Sequence, residues 1–98
     1  MEQQVCAGDP TVCIRVRSGR LADIAFRAFD CPGARAAAGV LAILARGKSV
    51  TAAKAITQGD VMGVLGGSPE PVMRCANVGV TALHAAIAEW ERDRLVAP

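Results

Sequence analysis

Ninety-eight residues with a formal net charge of +2 and 52% apolar side chains suffice for one domain and leave no room for a second core. Such a chain buries roughly 65% of the surface its unfolded form exposes, and nineteen alanines against three aromatics favour packed helices over an aromatic-rich sandwich. Interspersed charges lack the basic patch that nucleic acid requires. No apolar run reaches the ~18 residues of a membrane span, and Met1-Glu2-Gln3-Gln4 is no signal peptide. A soluble, cytoplasmic protein is expected, with neither nucleic acid nor membrane as partner.

In chain order, Val5 to Pro10 reads as a glycine- and proline-bearing segment ahead of the first strand. Thr11 to Arg17 alternates, with Val12, Ile14 and Val16 on one face and Thr11, Cys13, Arg15 and Arg17 on the other, the period of a half-buried strand. Ser18-Gly19 supplies a tight turn into a second alternating run in which Ala22, Ile24, Phe26 and Ala28 share a face. Residues 11–29 therefore predict an antiparallel hairpin, which needs a helical layer to be stable. Pro32-Gly33 ends it and opens a helix over 34–46, with Val40, Leu41 and Leu44 as core candidates and Gly47 as its stop. Ser49 caps a short helix to about Ile56, and Asp60 caps another turn or two to Leu65. Gly66 to Pro71 is expected to be a loop, because two glycines and two prolines oppose regular structure. A last helix runs from Cys75 or Ala76 to Leu95, burying Val80, Leu83, Ile87 and Trp90 and exposing Arg92, Asp93 and Arg94. The fold class is α+β: a hairpin or small antiparallel sheet covered by about four helices.

Cys6, Cys13, Cys31 and Cys75 carry the chemistry. Without an export signal a disulfide frame is not expected, and metal ligand, sulfur carrier, nucleophile or buried filler are the alternatives. Cys31 and Cys75 fall at predicted helix N-termini, where free N–H groups and the helix dipole favour a thiolate. Cys6 sits in the segment before the first strand, while Cys13, inside a strand beside Arg15, reads as an exposed or partner-facing thiol. Gly47-Lys48-Ser49 is no phosphate-binding loop, since Ala42 stands where that motif needs glycine and a helix precedes it. His84 reads as a surface or boundary histidine. No carboxylates pair for acid–base hydrolysis.

From Cys6 to about Trp90 the chain resembles the iron–sulfur cluster scaffold family of the NifU amino-terminal domain and IscU. Cys6 with Gly8-Asp9 is similar to the family's Cys-Gly-Asp, and Cys31-Pro32-Gly33-Ala34 to its second cysteine segment. Gly47-Lys48-Ser49, Ala55-Ile56 and Leu65-Gly66-Gly67 follow in family order. Cys75 and the stretch Ala82-Leu83, Ala85-Ala86-Ile87 complete the series. The resemblance implies a SufE/NifU-like fold in which Cys6, Cys31 and Cys75 hold a transient [2Fe–2S] cluster, or Zn(II) in its place. Asp9 beside the first cysteine would serve as a labile ligand. It further implies a cysteine desulfurase and cluster-acceptor proteins as partners, assembly and ligand exchange in place of enzymatic turnover, and leaves a homodimer open.

The chain also departs from that pattern. Ala7 and Gly8 separate Cys6 from Asp9 where the family has one residue, and Cys13 stays open as a rival first ligand. Arg74 replaces the histidine that precedes the last cysteine, and Arg cannot bind a metal. Only Pro69 of Ser68-Pro69-Glu70-Pro71-Val72 matches the family's chaperone motif. The family's amino-terminal helix and short first strand are expected to be missing. Two alternative functions follow: a persulfide carrier that accepts sulfur on Cys75 beside Arg74, and a binding module that has kept the fold without the chemistry.

Overall fold

The computed structural model describes residues 2–8, 11–27, 34–66 and 70–96. Three strands, β1 (Glu2–Ala7), β2 (Thr11–Arg17) and β3 (Arg20–Arg27), precede four helices, α1 (Ala34–Ala45), α2 (Val50–Lys54), α3 (Gln58–Leu65) and α4 (Glu70–Val96). This is the expected α+β class. The sheet is an antiparallel meander in the order β1-β2-β3. The hairpin is thus one half of a larger sheet: the segment read as preceding the first strand is itself a strand, with Val5 opposite Ile14 and Ala7 opposite Val12.

Ser18 and Gly19 form the β2–β3 turn with φ of 54° and 76°, the two positive values that match a tight turn to the strands' right-handed twist. Val12, Ile14 and Val16 face the core as their alternation predicts. On β3 the expected face is corrected at one position. The pairing slips between Arg15 and Val16, so that Arg15 faces Asp23 while Val16 faces Leu21. The extra residue, Ala22, is exposed, and Leu21 takes the core position, fully buried. A bulge shifts side-chain parity by one, and simple alternation does not see it.

The helices cover one face of the sheet. α1 buries Ala37, Val40, Leu41 and Ala45 and leaves Ile43 exposed. Ser49 caps α2 as expected, its Oγ accepting from the Ala52 N–H. The cap of α3 is Thr57, not Asp60: Asp60 occupies the third helical position and accepts from the Thr57 N–H, while the Thr57 hydroxyl accepts from the Asp60 N–H. This reciprocal box satisfies two otherwise free donors. α4 starts at Glu70, five residues before the expected boundary. Pro71 is its second residue, where a missing N–H costs little because the N–H groups of a first helical turn have no intrahelical acceptor. The last two residues of the predicted loop, Glu70 and Pro71, are therefore helical; residues 67–69 and 28–33 lie outside the described residues.

α4 packs on β1, β2, α1 and α3. Val80, Leu83, Ile87 and Trp90 recur at helical spacing and are buried. Trp90 Nε1 donates to Gln3 Oε1 at 3.0 Å, fastening the far end of the helix to β1. His84 Nε2 lies 2.9 Å from the Ile56 carbonyl oxygen, tying α4 to the link between α2 and α3 at the boundary position expected for it. No helix among the described residues is long and apolar enough to cross a membrane.

The segment joining α1 to α2 pairs with β3. Leu21 N donates to Lys48 O at 2.9 Å, Gly47 N to Leu21 O at 2.8 Å and Val50 N to Gly19 O at 3.0 Å. The same junction carries an electrostatic clasp. Asp23 accepts from its neighbour Ile24 N at 2.9 Å and pairs with Arg15 at 2.9 Å and Arg46 at 3.2 Å. The Ile24 N–H holds its carboxyl below the usual range. Partial burial opposes this, and the positive charges of Arg15 and Arg46 reinforce it.

Truncating Leu83, fully buried in the shared core, to alanine should cost about 2–5 kcal/mol of unfolding free energy. The exposed Ile43→Ala change should stay within about 0.5 kcal/mol; equal urea midpoints for the two would contradict the packing. Because the Asp23 pKa is depressed on folding, its contribution is complete above the unfolded value and vanishes as pH falls through the folded one. Thermal midpoints of wild type and Asp23→Asn should therefore differ at neutral pH and converge below about pH 4. A gap that persists undiminished in acid would remove the clasp from the account.

Candidate functional site

Alternation along the strands leaves one sheet face without helices among the described residues. Gln4, Cys6, Cys13, Arg15, Asp23 and Ala25 belong to it, by register and by the parity opposite to Val5, Ile14 and Ile24. Cys6 and Cys13 are direct cross-strand partners, and their sulfurs are joined in a disulfide with the Cα atoms 4.0 Å apart. This corrects two expectations: a disulfide is present, and Cys13 is not an exposed thiol but only 5% accessible. The cause is the strand formed by Glu2–Ala7, which lays Cys6 over Cys13. Cys6 itself remains exposed. Beside the pair a shallow depression of about 270 Å³ is lined by Gln4, Cys13, Arg15, Asp23, Ile24 and Ala25.

Cys75 lies on the other side of the sheet's plane, in α4, at 1% accessibility. Since α4 begins at Glu70, Cys75 is beyond the first turn. The predicted helix N-terminal position is corrected with it, and the free N–H groups of that turn do not reach it. Its thiol is not free in this structure. Arg74, just before it, points outward and pairs with Glu70 at 2.9 Å across one helical turn. A helix places successive side chains about 100° apart, which is why one neighbour is exposed and the other buried.

The turn after β1 connects the two regions. Gly8, at a φ of 87° that favours glycine, and the α4 residues Asn77, Val78, Thr81, Ala82 and Ala85 line a depression of about 200 Å³. Asn77 is two residues beyond Cys75. Of the four residues expected to ligate, Cys6 and Cys75 are thus described, while Asp9 and Cys31 lie outside the described residues. Among the described residues no three of His, Cys, Asp and Glu gather as a metal site. The structure brings Cys6 to Cys13, and it brings the turn that follows Cys6 to the helix that carries Cys75. Sequence reasoning missed the first pairing, although the midpoint between Cys6 and Cys13 falls in the Gly8-Asp9-Pro10 stretch, a composition that favours chain reversal.

Comparison with known proteins adds a second line of evidence. The family described as the NifU-like N terminal domain matches residues 1–97. An iron-sulfur cluster assembly scaffold protein, IscU 1 of Archaeoglobus fulgidus, is 36% identical over 88 residues, which cover 90% of this chain and 58% of that protein. The IscU scaffold protein of Aquifex aeolicus is 30% identical over 80 residues, 82% of this chain and 51% of its own. A nitrogen fixation protein NifU of Cereibacter sphaeroides is 34% identical over 85 residues, 87% of this chain and 35% of its own. The chain thus spans a little over half the length of the curated relatives it first matches.

Proposed function

The chain belongs to the NifU-like N-terminal domain family, and from that premise we propose that it is a scaffold on which an iron–sulfur cluster is assembled and then handed on. The observation that carries this is the match over residues 1–97 together with cysteines at positions 6, 31 and 75, in the order the family uses. The relatives at 30–36% identity are named as cluster assembly scaffold proteins.

Cys6, Cys31 and Cys75 are assigned as the ligands, with Asp9 as the weak fourth. Thiolates are soft donors suited to iron–sulfur clusters. A carboxylate in the fourth place makes the site incomplete in soft donors, so the [2Fe–2S] cargo, or Zn(II) in its place, can leave by ligand exchange without any substrate turnover. The buried position of Cys75 shields one side of the site from water, and Arg74, which cannot ligate a metal, points outward to Glu70. The Cys6–Cys13 disulfide occupies the first ligand, so loading through Cys6 requires the reduced chain. A cysteine desulfurase as sulfur source and apo-proteins as cluster acceptors complete the scheme.

Anaerobic reconstitution of the reduced chain with ferrous iron and inorganic sulfide tests the proposal. About two irons and two sulfides per chain or per dimer, with visible absorption, are expected. Cys31→Ala and Cys75→Ala should each abolish stable binding, and Cys13→Ala should load as wild type does. An unaltered cluster in Cys31→Ala would overturn the assignment.

A further inference from the structure

We propose that Cys6 and Cys13 act as a dithiol that reduces incoming sulfane sulfur to sulfide, Cys6 accepting the sulfur as a persulfide and Cys13 resolving it. This rests on the scaffold reading and deepens it, because it gives a role to Cys13, which the ligand set does not use.

Three features of the structure carry it. First, Cys6 and Cys13 are register partners with bonded sulfurs, so the two reach each other in the folded chain. Second, they differ in access: Cys6 is exposed whereas Cys13 is 5% accessible. An outside donor meets Cys6 first, and the sheltered thiol is left for the intramolecular step. Third, the pair lies on the sheet face that the helices leave uncovered, beside the depression lined by Gln4, Arg15, Asp23 and Ala25. A donor can approach without displacing the core.

The chemistry balances within the pair. The Cys6 thiolate attacks the outer sulfur of a donor persulfide, forming Cys6–S–SH and releasing the donor thiolate. The Cys13 thiol gives its proton to solvent, and its thiolate attacks Sγ of Cys6. The bond between that Sγ and the outer sulfur breaks, hydrosulfide leaves, and the Cys6–Cys13 bond forms. The sulfane sulfur gains two electrons, and the two cysteine sulfurs lose them. The product is the disulfide present in the structure. A dithiol reductant, itself oxidised to a disulfide, returns both thiols for the next round, and Cys6 is then also free to ligate. Cluster sulfur is at the sulfide level, so the step supplies the form that assembly consumes.

The test uses the full chain, reduced anaerobically, freed of reductant and given one equivalent of cysteine persulfide without iron. Wild type should release about one sulfide per chain and acquire the Cys6–Cys13 bond, read by peptide mass mapping after alkylation. Cys13→Ser should retain the added sulfur on Cys6 and release on the order of tenfold less sulfide from that site. Cys13→Ala serves as a second variant, and matching circular dichroism establishes that both fold. Wild type that keeps the Cys6 persulfide, or Cys13 variants that release sulfide as wild type does, would overturn the proposal. Loading from ferrous iron and inorganic sulfide bypasses this step. A chain that loads that way but fails the persulfide assay therefore sinks this inference alone, and one that resolves persulfide but never loads sinks the scaffold reading.

Discussion

The burial of one face of α4 against the inner face of the sheet is the contact from which the rest of the molecule hangs. A three-stranded meander of this length has only one apolar face and cannot stand unaided. Leu83 and Ile87 reach full burial against it, and Trp90 closes the far end with its bond to Gln3. The same contact positions the chemistry. It buries Cys75 near the start of the helix and brings the Gly8 turn alongside Asn77 to Ala85. Packing energy that would be spent in any α+β domain thereby also sets where the candidate ligands stand.

The uncovered sheet face has a different character. It holds a disulfide and a carboxylate clasped by two arginines, and its depressions are shallow and open. On the scaffold reading proposed above, the two faces have different tasks. A helix-covered side excludes water from Cys75, and an open side gives a sulfur donor access to Cys6. The chain sets them either side of a sheet one strand layer thick, with the turn at Gly8 beside the helix that carries Cys75.

Much of this was legible in the residues, and the misses have physical causes. Ser49 announced its cap because its hydroxyl has no better use at that position. Val12, Ile14 and Val16 announced β2 because nothing interrupts their alternation. Leu21 was missed because a bulge changes parity without leaving a composition signal. Asp60 reads as a cap because a capping box contains two candidate residues, and only the reciprocal bond tells which is first. The start of α4 lies earlier than the sequence suggests because Pro71 reads as a breaker, although proline is compatible with a first helical turn. Cys13 reads as exposed for the same reason that β1 escapes the sequence: a six-residue strand with two glutamines and a charge carries little strand signal until its partner is known. The roles of Cys31 and Asp9 rest on family order alone, since both lie outside the described residues.

The segment between α1 and α2 does more than connect two helices. Its carbonyl and amide groups at Gly47, Lys48 and Val50 occupy the outward backbone positions of Gly19 and Leu21. The edge of a sheet is a template on which any extended chain can polymerise. Here the first part of β3 has its hydrogen-bonding capacity already spent on the protein's own backbone. A second copy that approached this edge would find no free ladder to join there. In a protein proposed to meet several partners in turn, pairing of a second copy with the start of that strand is thus blocked by a few ordinary loop hydrogen bonds.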